Sequence, residues 1–333
     1  MCSSDLAAAG PRTAVPLFPT DPLPEPDAAP DTVELDELVA FVEHPVRAFL
    51  RQRVRVLPPG ESEEPDDALP VELDGLATWK IGDRLLADRL AGAPPQAVAR
   101  AETLRGDLPP GGIGRRVLTD VGGRVEPLVT LAAAVRTGEA TSQDLVAPLT
   151  GTPLDGITVA GTVPGLHGDV IVRVEYSRLK AKHRLRAWVQ LLALAVAHPD
   201  RPWSAVTIGR GTGGAARSTL GPVDPARART VLADLVALRR DGLCAPLPLP
   251  TDAAAVYARN RSRGVVAANA LAAADAEWSR FECQDAAHVL VRGAGAPLLL
   301  REEPGSGAEP TRFGALATRL WAPLLDHERQ DAP

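Results

Sequence analysis

The chain has 333 residues, 45% of them apolar, with 36 basic and 42 acidic residues and a formal net charge of −6. This is enough apolar content for one large or two ordinary cores, which excludes a disordered chain and a disulfide-stapled one. A net acidic chain is a poor free-standing nucleic-acid binder, so such a contact has to rest on a local basic face.

Met1 to Leu6 is the peptide that one reading frame through a common sequencing adapter encodes, and the Pro-rich stretch up to Pro30 has no periodicity. The expectation is an artefact over residues 1–6, a disordered linker over 7–30 and a native protein that continues upstream. Asp31-Thr-Val-Glu34 reads as a capping box before an apolar helix, which His44-Pro45 should kink or divide. Arg53 to Leu57 alternates like a strand, and Glu61, Glu63, Glu64, Asp66 and Asp67 form an acidic loop. Helical periodicity returns from Leu73 to Arg105, with a new helix starting at Pro94-Pro95, and again from Gly114 to Val135.

A strand-rich section begins near Asp144, with strands at Ile157–Val163 and Val170–Tyr176. Arg184–Ala197 is an amphipathic helix with Leu185, Trp188, Val189, Leu192 and Val196 toward the sheet. Val206–Gly209 and Ser218–Leu220 read as a hairpin around a glycine-rich turn. The helix from Asp224-Pro225 to Arg240 should close at Asp241-Gly242, and two more helical stretches occupy Asp252–Phe281 and Thr311–Glu328. The order of elements predicts an α/β fold with a sheet covered on its faces.

Cys2, Cys244 and Cys283 have neither CxxC spacing nor histidines at zinc-ligand distances, so a structural zinc and a disulfide framework are not expected. A reducing cytoplasm fits this usage. No apolar run approaches the roughly 20 residues that span a bilayer, and the chain reads as soluble, without a membrane partner.

The segment Gly161–His183 has the layout of a metal-dependent nuclease core. It resembles the restriction-endonuclease-like (PD-(D/E)XK) superfamily, in which one strand offers an acid and the next an acid followed, one residue on, by a lysine. Here Pro164 stands where the first acid is expected, and Glu175-Tyr176-Ser177 keeps the second acid but carries serine in place of lysine. Proline ligates nothing, serine brings no charge to orient hydroxide, and one carboxylate alone is a poor Mg²⁺ site. The glutamine and tyrosine that active relatives carry four residues apart on the following helix are preserved neither at Arg186 and Gln190 nor at Trp188 and Leu192. The expectation is a catalytically degenerate mixed sheet flanked by helices, with no catalytic residue and no metal; Asp169, Glu175 and Lys180 are the only set that could rescue one.

Arg173, Arg178, Lys180, Lys182, Arg184 and Arg186 concentrate positive charge around this segment and are the candidate DNA-binding residues, against the alternative of a solvated face. Gly209 to Gly214 lacks the Gly-Lys-Ser/Thr ending of an ATP loop and precedes a strand, so ATP is not expected there. Trp188 reads as core, His44 as packing at the helix break, and His167 and His183 as surface histidines.

Several segments resemble the C-terminal region of RecC, the gamma subunit of exodeoxyribonuclease V. They are Leu35–Leu38 with His44–Leu50, Val71–Leu76, Arg105–Gly111, Arg178–Trp188 and Asp241–Leu247, in matching order and spacing over residues 31–330. The resemblance implies a nuclease-like domain over 31–330 with a helical insertion at about 72–137. It also implies a noncatalytic DNA-binding and scaffolding role in a RecBCD-type helicase/exonuclease acting in double-strand break repair by homologous recombination. RecB-like and RecD-like subunits and single-stranded or forked DNA would be its partners, and those subunits would use the Mg²⁺ and ATP. The alternatives are an active Mg²⁺-dependent nuclease with its lysine migrated to Lys180 or Lys182, and a pure partner-binding module.

Overall fold

A mixed seven-stranded sheet carries helices on both faces. The computed structural model describes residues 22–24, 31–57, 74–293 and 307–331. The adapter-like hexapeptide and the acidic loop lie outside the described residues, as does much of the linker.

Strand β1 (Thr32–Glu34) runs into α1 (Leu35–Glu43), whose Leu35, Leu38, Phe41 and Val42 are buried. The capping box expected at Asp31–Glu34 does not form, because this backbone pairs in parallel with Thr158–Ala160. The helix divides at His44 as expected: the proline ring excludes the helical conformation from the residue before it, and His44 sits at φ −161°, ψ 84°. Then follow α2 (Pro45–Ala48) and a π-helical turn, Phe49–Val54, that ends in left-handed Arg55. The strand expected at Arg53–Leu57 is therefore absent; Phe49 and Leu50 are drawn into a satellite core with Val46 and Ala287, which keeps the backbone helical.

Helices α3 (Gly75–Leu90), α4 (Pro95–Arg105) and α5 (Gly112–Ala133) come next. They bury Ile81, Leu85, Leu86, Val121, Val125 and Leu128 against Tyr176, Val206, Ile208 and Ala215 of the sheet. Gly82 is where α3 meets the sheet, since a Cβ there would lie 2.0 Å from the Tyr176 ring.

The sheet is completed by β2 (Thr141–Pro148), β3 (Thr158–His167), β4 (Val170–Arg178), β5 (Ser204–Arg210), β6 (Ala215–Leu220) and β7 (Glu328–Asp331), in the order β1-β3-β4-β5-β6-β7 with β2 on the outer side of β3. β3 and β4 pair only at Leu166–Ile171 and His167–Val170, then separate, and β1 pairs with the far end of β3. Between β4 and its parallel neighbour β5 the chain crosses over through α6 (Ala181–Ala197). α6 is more than amphipathic: both its sides are buried, because α1, α7 (Pro225–Cys244) and α8 (Thr251–Ser262) pack around it over the sheet.

α7 runs a turn past the expected end at Arg240, through Gly242 to Cys244. That glycine serves close approach, since a Cβ there would meet the Phe41 ring at 2.4 Å. The stretch expected as one helix over Asp252–Phe281 is two, α8 and α9 (Ala267–Arg280), parted at left-handed Gly264. α10 (Ala286–Arg292) follows, and α11 (Arg312–Leu325) stops short of Glu328, which starts β7 instead. The reason is the side chain: the Glu328 carboxylate is drawn inside onto Arg184 and Ser218.

Candidate nucleic-acid interface

The six candidate basic residues divide by environment. Arg178, Lys180 and Lys182 are exposed where β4 leaves the sheet and α6 begins. The other three point into the protein. Arg173 donates to Gln190 Oε1 at 2.8 and 3.1 Å, Arg184 forms a buried ion pair with Glu328, and Arg186 pairs with Glu43 at 2.8 Å. A helix enclosed on both sides can keep arginines only by giving each an internal acceptor. The sequence run is thus one cluster in the chain and two in space.

Arg173, Glu175, Arg186, Glu43 and Gln190 meet between β4, α1 and α6. Burial raises the Glu175 pKa, opposed by the nearby Arg186 and Arg173 charges. Burial lowers that of Arg173, with Arg186 adding to the effect. The carboxylates therefore face guanidinium groups. Asp169 lies at the β3–β4 turn, bound by Arg201 Nε at 2.6 Å. Six residue steps, roughly 20 Å of extended chain, separate it from Glu175, so Asp169 and Glu175 do not converge. Pro164 is exposed and pairs with Ser142, while its neighbour Val163 points into the core under α1 and α6. Lys182 is the candidate lysine whose charge acts on Glu175.

His167 and His183 are buried, not on the surface as expected. His183 Nδ1 accepts the Lys180 backbone N–H at 3.3 Å, closing the α6 N-terminus, and burial lowers its pKa to about 4. Trp188 is core, as expected.

Arg178 also belongs to a basic trough that sequence reasoning missed. One lobe, about 520 Å³, is lined by Arg124 and Pro127 of α5, by Arg178 and by Arg210 to Gly214. The second, about 290 Å³, shares Arg178, Arg210, Gly211 and Thr212 and adds Arg184 of α6, already paired with Glu328, Arg217 of β6 and Arg259 of α8. No carboxylate stands among the described residues lining either lobe. The six arginines come from six elements; Arg178 and Arg184 belong to the basic run of the sequence, but Arg124, Arg210, Arg217 and Arg259 lie at distant positions that no local charge run announced. The glycine-rich turn, set aside as an ATP loop, is the β5–β6 hairpin forming the trough's floor.

Among the described residues, His44, Asp285 and His288 are the trio of possible metal ligands whose ligand atoms lie within 4.8 Å of one another. Their hydrogen bonds leave little for a cation. His44 Nδ1 accepts the Arg47 N–H, so Nε2 keeps the proton and donates to Asp285 Oδ1 at 3.0 Å, while the Arg47 guanidinium holds Oδ2 at 2.8 Å. The trio reads as a pin joining the α1–α2 break to α10.

These features define an α/β/α protein with an arginine trough at the ends of its central strands. The sequence pattern of the RecC C-terminal domain matches residues 30–262, and the chain belongs to that family. It is 38% identical over 330 residues to the RecBCD enzyme subunit RecC of Mycolicibacterium smegmatis, covering 97% of this chain and 30% of that protein. The Mycobacterium tuberculosis subunit of the same name is 38% identical over 335 residues, and that of Escherichia coli 28% over 170, which is 51% of this chain and 14% of the relative. The chain thus spans about 30% of the length of its mycobacterial relatives. No helix among the described residues is long and apolar enough to cross a membrane.

Proposed function

We propose that this chain is the noncatalytic, DNA-binding and scaffolding region of a RecBCD-type helicase/exonuclease, working beside RecB-like and RecD-like subunits in recombinational repair of double-strand breaks. The fold reading that goes with it is a degenerate restriction-endonuclease-like sheet. The observation that carries the proposal is the Arg173–Glu175–Arg186–Glu43 cluster: Arg186 occupies the Glu43 carboxylate, and the charges of Arg186 and Arg173 act on Glu175 where a Mg²⁺ ion would have to sit. Ser177 supplies no charge, and Asp169 is committed to Arg201 at the opposite end of the strand. Mg²⁺ and ATP accordingly belong to the partner subunits.

The test is incubation of the purified chain with single-stranded and forked DNA, with and without Mg²⁺. Binding that weakens with salt and leaves the DNA intact is expected, as is co-purification with a RecB-like subunit. Mg²⁺-dependent cutting that disappears in Glu175→Ala would instead establish the active nuclease with a migrated lysine. The pure partner-binding reading takes over if the chain co-purifies with the motor subunit but shows no DNA affinity.

A further inference from the structure

The trough is built from α5, β4, the N-terminal turn of α6, the β5–β6 hairpin, α8 and β7, and its two lobes run into each other through Arg178, Arg210, Gly211 and Thr212. The Arg210 guanidinium sits over the Tyr176 ring, its Cζ 4.7 Å from the centroid, which holds it at the junction; its Nε makes no hydrogen bond among the described residues. Arg259 donates to the neutral Gln330 at 2.7 Å. Its pKa is lowered, first by burial and then by the like charge of Arg184, with Glu328 opposing. Arg124 and Arg178 are exposed on the facing walls.

We propose that this trough, rather than the exposed pair Lys180 and Lys182, holds the backbone of a single nucleic-acid strand, with Arg124, Arg178 and Arg210 each meeting a phosphate. The inference rests on the DNA-binding reading above and locates it. Three observations select the occupant. Guanidinium forks match phosphate oxygens in pairs, and the lining is arginine throughout, with no lysine. Gly211, Gly213 and Gly214 keep the floor free of side chains, so a backbone can lie close. The lining includes no aromatic residue that could stack a base, so contact is to phosphate and insensitive to sequence. A trough of a few hundred Å³ admits one strand and is too small for a duplex, so a forked substrate would enter by its separated arm.

The experiment measures anisotropy of a labelled oligo(dT) titrated with the 333-residue chain over a range of salt. Three proteins are compared: wild type, Arg124→Ala/Arg178→Ala/Arg210→Ala and Lys180→Ala/Lys182→Ala. The trough variant should lose at least about tenfold in affinity at low salt, and its log–log salt slope should flatten by about 2, three contacts at roughly 0.7 each for a single strand. The lysine variant should stay within about threefold of wild type. Should the triple variant fold poorly by circular dichroism, Arg124→Glu/Arg178→Glu, confined to exposed positions, serves in its place. Equal losses in both variants, or loss in the lysine variant alone, overturn the trough while leaving DNA binding standing. No wild-type binding overturns both. A polyglutamate competitor that displaces the oligonucleotide at equal charge concentration shows a site for an acidic protein segment and also overturns the proposal.

Discussion

At the scale of the residue, the consequential events are arginines finding acids far away in sequence. Arg184 and Glu328, 144 positions apart, are almost fully buried together with Ser218. Removing one partner strands a charge in the core, so Glu328→Ala should cost about 3–5 kcal/mol in urea unfolding. The double replacement Arg184→Met/Glu328→Leu should recover most of that loss, and a double-mutant cycle measures the coupling. Buried titratable groups shape stability against pH. Burial lowers His183 to about 4 and His288 to about 3, both below their unfolded value of 6.5. The unfolded chain binds their protons first, so the stability they contribute is complete above about 6.5 and is lost as pH falls. Glu282 has the opposite sign: burial and the adjacent Asp252 raise it to about 7, so its contribution is lost as pH rises through that value. His183 and His288 therefore favour a urea midpoint that rises with pH between 5 and 6.5, against the opposite contributions of Glu282 and the raised Glu175. His288→Gln should flatten that rise.

At the scale of the element, packing overrode local signals wherever a segment had a distant partner. Helix content, the His44-Pro45 break and the β5–β6 hairpin were legible, because proline sterics and apolar period act within a few residues. β1 and β7 were not: Thr32–Glu34 looks like a cap and Glu328–Asp331 like a fraying helix end until β3 and β6 are in place to pair with them. Gly242 shows the same limit, since the sequence displays a stop glycine and only Phe41 reveals the reason for it. Gly82 has that kind of role between α3 and β4. Gly82→Ala should cost about 1–3 kcal/mol by pushing the helical layer off Tyr176, read as a lowered thermal midpoint.

At the scale of the whole molecule, charge is sorted by depth. An acidic chain of net charge −6 consumes part of its basic run in internal pairs and presents other arginines along one trough. The overall charge therefore predicts weak nonspecific affinity, and the trough predicts a local one. Raising ionic strength from 50 to 200 mM should remove most of the oligo(dT) affinity while leaving the urea midpoint almost unchanged, because the internal pairs are screened far less than the surface.

What the sequence determined by itself was the family and the α/β class, since these depend on residue types at short spacing. Only the tertiary structure decided which basic residues remain available. Arg173, Arg184 and Arg186 were indistinguishable from Arg178 in the chain. They were claimed by Gln190, Glu328 and Glu43 once α6 was enclosed, while Arg124, Arg210 and Arg259 joined Arg178 only because the sheet and its helices carry distant segments to one edge. Contact between distant residues follows from topology, which no short window of sequence contains.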